Sequence, residues 1–333
     1  MAATIQKRET DDPAVAALLA ARPGYVFQEP VWGRVLATLG HPVWYYCLED
    51  SGSPILAQLA VEVRLGFFRI LWCGLPFGGP AGDVSRAAEF FDLLVPAAAR
   101  GGIHRIRLSR NFYDGDMPAP AAESQEHVQQ VLHFGGRTAE KVWEDFKGRV
   151  RRDIRVGEKA GLQVVSGDQP ALRDALHAMY AATMARNESF VFWTREMIEE
   201  IWRSIVQPGQ GEILMAMHEG QPLAGIITLY SGRRCFYFMG ASAGEKRNLC
   251  PNDAIIWEAI RRAAARGCED FDFMTSSRED QRLIEFKAKW GTERHPFFFY
   301  ERDLKWLPCR LWNVSFAVAR TRLGARLVRL IRR

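Results

Sequence analysis

The pentapeptide AAARG stands at 97–101 and again at 263–267, 166 positions apart. At the same offset Gly74 pairs with Gly240, and each ends an aromatic-rich stretch of strand composition, FFRILWCG (67–74) and RCFYFMG (234–240). A Gly/Pro/Asn-bearing loop follows in both copies, LPFGGPAGD against ASAGEKRNLCPND. Helical stretches come next, VSRAAEFFDLLVPAAARG and AIIWEAIRRAAARG, closing on Gly101 and Gly267 as C′ residues. Strands IHRIRLS and EDFDFMT follow, and upstream SPILAQLAVEV and GQPLAGIITLY match with the register shifted by one. Chance can repeat one alanine-rich five-mer. It does not readily repeat strand, loop, helix and strand in the same order, so the chain reads as a duplicated β–β–loop–α–β unit of the α/β class.

The totals agree with a folded chain of that size. Its 333 residues are enough for one large or two ordinary domains, with 48% apolar and 25% charged residues. No apolar run reaches the roughly 18 residues that span a bilayer, and MAATIQKRETDDPAV has no apolar core of a signal peptide. Six cysteines without a C-x-x-C pair point to reduced thiols and a cytoplasmic setting. The net charge of +5 belongs to one end: residues 306–333 hold seven arginines and no acid, leaving 37 bases against 39 acids elsewhere. That segment, with Leu323, Leu327, Leu330 and Ile331 opposite Arg322, Arg326, Arg329 and Arg333, reads as a basic amphipathic helix. It suits an anionic membrane surface, packing on the body, or tRNA phosphates.

Between the copies, RTAEKVWEDFKGRVRRDIRVGEKAGLQVV reads as one long helix with Val142, Phe146, Val150 and Ile154 on its apolar face. Lys147, Arg151, Arg155 and Lys159 form a basic row, either a solvated face or a track for phosphates. Near the end, Ser277-x-x-Asp280 resembles a capping box, and Leu283, Ile284, Phe286 and Trp290 define an apolar arc. Lys287 falls inside that arc, so it either snorkels or faces a site. Arg186 lies on the Leu172, Leu176, Met179, Thr183 stripe, where it either satisfies helix-end carbonyls or reaches a ligand. Asp272 alternates with Phe271 and Phe273, and either orients an amine or is a buried carboxylate satisfied by backbone donors. The seven histidines show no ligand spacing, and no metal is assigned.

The stretches VFQEPVWGRV (26–35), GGPAGD (78–83), FKGRVRRDIRVGEKAGLQV (146–164), MYAATMAR (179–186), YFMGAS (237–242) and EDFDFMTSS…RLIEFKAKWG (269–291) resemble the FemABX family. The resemblance spans roughly residues 25–305 and extends to the looser FemAB-like and CelD-type branch. It implies two tandem GNAT-like domains with mixed, mostly antiparallel sheets flanked by helices. The expected domains are 1–145, completed by part of 300–333, then 146–300, then the helix 306–333. Without a long coiled-coil arm in its second half, the chain is similar to the compact members.

The implied activity is transfer of an aminoacyl or acyl group to an amine of a peptidoglycan or lipid-linked saccharide precursor by direct attack. The donor would be aminoacyl-tRNA or acyl-CoA, with no permanently bound cofactor, acting as a monomer in the cytoplasm or at the inner face of the cell membrane. By the same resemblance Lys287 stabilises charge at the acyl carbonyl with Phe286 beside it, and Arg186 and Arg34 meet phosphates of the acceptor. Arg151 and Arg155 are the further candidate substrate contacts. Two departures stand out. Ser109 occupies a position where some members carry aspartate, and RNLCPNDA (247–254) replaces the Gly-rich coenzyme A loop of GNAT domains, with Pro251 removing one amide. Two rival readings follow: an acyl-CoA-dependent N-acyltransferase of exopolysaccharide biosynthesis, and an inactive GNAT-like scaffold at the membrane.

Overall fold

The computed structural model describes residues 3–21, 26–115, 117–118, 122–187 and 191–319, with side chains described as far as Ser315. In chain order the elements are β1 (Thr4–Arg8), α1 (Pro13–Ala21), α2 (Pro30–Ala37), β2 (Val43–Asp50), β3 (Ser53–Leu65), β4 (Phe68–Cys73), β5 (Ala81–Gly82), α3 (Ala87–Arg100), β6 (Arg105–Arg110) and β7 (Glu123–His133). There follow α4 (Ala139–Asp145), α5 (Gly148–Lys159), β8 (Gln163–Ser166), α6 (Pro170–Arg186), α7 (Arg195–Ile201), β9 (Gly211–His218), β10 (Gln221–Ser231) and β11 (Arg234–Ser242). The last are α8 (Pro251–Ala265), β12 (Asp270–Ser277), α9 (Gln281–Ala288), β13 (Glu293–Asp303) and α10 (Trp306–Ala319).

Two compact units result: Met1–Arg22 with Gly40–Gln125 and Phe298–Arg333, and Pro23–Leu39 with Glu126–Phe297. Residues 23–39 and 126–145, expected in the first domain, therefore lie in the second. The reason is pairing and packing: β7 bonds antiparallel to β12, and Val142 joins the core that holds Ile256 and Ile260 of α8.

Each unit repeats one topology. In the first, β2, β3 and β4 run antiparallel, α3 crosses over, and β6 returns parallel to β4 from Ile70↔Arg105 to Cys73↔Leu108. In the second, β9, β10 and β11 run antiparallel, α8 crosses over, and β12 returns parallel to β11. The AAARG helices are thus the two crossover helices, the connection a parallel pair requires. Their apolar faces fill the cores, with Phe90, Leu94 and Ala98 in the first and Ile256, Ile260 and Ala263 in the second.

The repeat is offset by 165 in space rather than 166. Both helices end on the same six-to-one bond, Ile103 N–H to Ala98 O and Cys268 N–H to Ala263 O. The left-handed glycines that permit it are Gly102 and Gly267, whereas Gly101 has φ −68°. Gly240 also departs from expectation, lying inside β11 instead of ending it.

The long connecting helix is two helices. Phe146 turns extended with ψ 139°, and the carbonyl of Lys147 accepts the first bonds of α5 from Val150 and Arg151. The apolar reading survives the break, because Val142, Phe146, Val150 and Ile154 are all buried in the second core. In the first unit α10 seats Cys309 and Trp312, the indole stacked 5.0 Å over Phe68. No described helix is long and apolar enough to cross a membrane. Residues 322–333, on which the amphipathic reading rested, lie outside the described residues.

Candidate active site

The site is built where β11 and β12 part company. Their parallel pairing runs through Arg234↔Asp270, Cys235↔Phe271 and Phe236↔Asp272 and stops, although β11 continues to Ser242 and β12 to Ser277. Each strand carries a bulge at the parting. On β11 the extra residue is Phe238, between partners of Ile227 and Thr228. On β12, Phe273 and Met274 stand against the single residue Gln130 between the Asp272 and Thr275 pairings. Bulges bend a strand and increase its twist, so two in register open a notch beyond Asp272.

Met274 takes φ +58°, a left-handed conformation that a side-chain-bearing residue rarely adopts. The Asp272 carboxylate holds it there, accepting the Met274 N–H at 2.6 Å and the Gln129 side-chain amide at 2.6 Å. The carbonyls of Met274 and Thr275 accept from Lys287 Nζ at 3.4 and 2.9 Å. Lys287 arrives on α9, which starts at Asp280, whose side chain accepts the Leu283 N–H at 3.0 Å; Ser277 instead accepts from Glu279. One turn into that helix, Ile284 and Lys287 are buried on one side while Leu283 is exposed.

The lysine is 4% exposed. Burial draws its pKa down to about 7, opposed by the negative charges of Asp272 and Asp280. Of the three N–H donors of an ammonium, the two carbonyls engage two.

Tyr237, one residue beyond the last β11–β12 pair, was not singled out from the sequence. Burial pushes its phenol well up, so it stays a neutral donor. Its ring needs Gly240: a Cβ there would sit 1.8 Å from the Tyr237 hydroxyl. At the far end of β11, Arg186 donates to Ser242 O at 3.2 Å and to Thr183 Oγ1 at 2.9 Å. A Cβ placed on Gly244 would lie 3.6 Å from Arg186 Nη1 and 3.4 Å from Arg247 Nη2, so two exposed guanidinium groups converge there.

The remaining candidates go elsewhere. Phe286 packs on the second core with the Lys289 ammonium 4.6 Å over its ring, and Lys289 pairs with Asp253. Arg151 bonds the carbonyl of Glu144 at 3.4 Å and Arg155 lies 5.6 Å over Trp143, so both engage α4. Arg34 is exposed on α2, whose Trp32, with Phe27 before it, packs on Phe238 and Phe236 of β11. Ser109, in the first unit, donates within a tight turn to Gly74 O and accepts from Gly78 N–H, both at 3.0 Å. Two concavities, an apolar one at Phe91 and Tyr300 and a polar one at His133 and Arg137, do not include Lys287. Buried charge and strand geometry, not cavity size, mark the site.

The start of α8 is a poor pyrophosphate cradle. Pro251 has no N–H, the amides of Asp253 and Ala254 donate to Cys250 O at 3.0 and 3.2 Å, and the Asp253 carboxylate already answers the helix dipole.

Residues 144–288 match the family described as Acetyltransferase (GNAT) domain. The chain is 30% identical over 80 residues to the lipid II:glycine glycyltransferase of Staphylococcus saprophyticus, a stretch covering 22% of this chain and 19% of that protein. The match thus spans about a fifth of that relative's length. In fold it is similar to FemX, with TM-score 0.66 and 13% identity over 93% of this chain and 99% of that one. It is also similar to a tandem GNAT protein from the clavulanic acid biosynthesis pathway, with TM-score 0.57 and 11% identity over 91% and 99%. The chain thereby has the tandem GNAT-like fold, with residues 144–288 matching the GNAT acetyltransferase domain.

Proposed function

We propose that the protein transfers an aminoacyl group from aminoacyl-tRNA to an amine of a lipid-linked peptidoglycan precursor. The observation that carries this is Lys287, buried at the β11–β12 notch with one N–H left for a substrate oxygen. The amine attacks the ester carbonyl, a C–N bond forms, and the ester C–O bond breaks to free the carrier hydroxyl. The proton lost by the amine ends on that leaving oxygen. Lys287 stabilises the oxyanion that develops between these events, an effect typically worth a hundredfold or more. At the far end of β11, Arg186 with Arg247 meets phosphate.

Two things favour aminoacyl-tRNA over acyl-CoA. At the start of α8 Pro251 has no N–H, the amides of Asp253 and Ala254 are bonded to Cys250 O, and Asp253 adds a negative charge, and the sequence relative is named lipid II:glycine glycyltransferase. The apolar face of α10 fits an acceptor carried on a membrane. The test is incubation of the purified chain with labelled aminoacyl-tRNA and acyl-CoA pools and lipid-linked precursors. Consumption of aminoacyl-tRNA alone is expected; consumption of acyl-CoA, or of neither donor, overturns the reading.

A further inference from the structure

His133 and His295 are 162 positions apart, so sequence spacing hides that they meet. His133 ends β7, and Glu293 and His295 are the first and third residues of β13, the strand beside β7. Alternate residues of a strand share a face, so Glu293 and His295 project together while Arg294 pairs with Glu285. Asp270 stands opposite His133 in the β12–β7 register.

The chemistry of this face is that of a cation site. Asp270 Oδ1 lies 2.7 Å from His133 Nδ1. With Nδ1 on that bond, Nε2 is the nitrogen turned toward the other two residues, the orientation a carboxylate gives to metal-binding imidazoles. That Nε2 faces His295 Nε2 at 3.2 Å. Two nitrogens bound to one tetrahedral ion at roughly 2.0–2.1 Å lie about 3.3 Å apart, so the spacing is an edge of such a site. Glu293 Oε2 lies 3.9 Å from His133 Nε2, and the ligand atoms of all three residues fall within 4.8 Å of one another. Glu293 is 69% exposed, which gives an ion a way in from solvent.

We infer that His133, His295 and Glu293 form a binding site for a divalent transition-metal ion of zinc type, with Asp270 orienting His133. Two imidazoles and one carboxylate select borderline ions over calcium or magnesium, and leave the fourth position to water. The ion ties β13 to β7 and is separate from the Lys287 notch.

The test uses the full chain without a histidine tag, stripped by chelator and titrated with zinc against a chromophoric competitor. One equivalent bound at micromolar affinity or tighter is expected, with cobalt giving a tetrahedral spectrum and zinc raising the melting temperature. His295→Ala should weaken binding at least a hundredfold, and Asp270→Asn about 10- to 100-fold. Glu293→Gln, at an exposed position, should weaken it without disturbing the fold, and His218→Ala should leave it unchanged. Failure to compete for zinc, or affinity unmoved in both His295→Ala and Glu293→Gln, overturns the assignment.

Discussion

Lys287 Nζ donates to the carbonyl of Thr275 at 2.9 Å, tying the last turn of α9 to the strand that forms one side of the notch. The bond fixes the side chain within a buried setting, and on the proposed function its remaining donor meets the substrate oxygen. Lys287→Met should therefore lower the transfer rate about 10²–10³-fold, the usual cost of losing one oxyanion donor. The melting temperature should hold or rise, since the desolvation of a buried charge is removed along with the bond. Steady-state kinetics and a thermal melt on one preparation decide it; a variant that still turns over removes Lys287 from the chemistry.

The same lysine makes a prediction about pH. Its folded pKa of about 7 lies below the ordinary lysine value of 10.5. Between those limits the unfolded chain binds more protons than the folded one, so stability should rise with pH across that window. The slope reaches at most ~1.4 kcal/mol per pH unit. Denaturant midpoints at pH 7, 8 and 9 should climb in the wild type and flatten in Lys287→Met. Equal slopes in both would place the titration elsewhere.

Asp272→Asn keeps the side chain's shape but removes a charge that favours the Lys287 ammonium. The pKa of Lys287 should fall further, and any falling limb of the rate profile near neutrality should move to lower pH. Stability should drop by about 1–3 kcal/mol, because the buried Gln129 and Met274 donors meet a weaker acceptor. A limb that stays put would show that Asp272 only props up the Met274 turn.

The duplication was legible because it is written in composition and order, strand, loop, helix, strand, which tolerate a one-residue slip. The slip itself was not legible: the choice between Gly101 and Gly102 depends on φ at the helix end, and both are glycines. Lys287 could be read because helical periodicity places it against Ile284, and the core then enforces that placement. The Gln129–Asp272–Met274 arrangement could not be read, since it depends on strand register and on a bulge that breaks strand periodicity. For Arg151 and Arg155 the sequence could not give the neighbours, for a related reason. An i, i+4 basic row does not reveal that Arg155 lies over Trp143 and Arg151 bonds the Glu144 carbonyl.

Two glycines with similar backbone angles separate strain from collision. Gly52 has φ +81° with open space around its α-carbon, whereas Gly74 has φ +66° and a Cβ there would meet Gly78 O at 1.7 Å. Gly52→Ala should cost about 1 kcal/mol from conformation alone. Gly74→Ala must also displace the turn that Ser109 bonds, and should cost at least about 3 kcal/mol. Chemical denaturation of the two variants side by side gives the comparison; equal losses would mean the turn around Ser109 yields freely.

The last prediction concerns α10, whose two sides differ in their surroundings. Cys309 and Trp312, three residues apart, face the first unit, with Cys309 buried and Trp312 stacked on Phe68. Leu307, Leu311 and Val314 recur every three to four residues on the opposite side, each more than half exposed. The helix thus packs on the body and still presents an apolar face outward, with Arg310 over the Trp306 ring beside it. In the sequence, residues 320–333 hold six arginines and no acid. An anionic bilayer offers both halves of what this surface lacks, since each arginine near it contributes about 1 kcal/mol. The chain should sediment with vesicles containing phosphatidylglycerol and remain in solution with purely zwitterionic ones. Replacing Leu311 and Val314 together by Asp should lower binding at least tenfold without changing the melting temperature, because neither side chain touches the core. If the double variant sediments as well as the wild type, the exposed face of α10 has no part in holding the protein at a membrane.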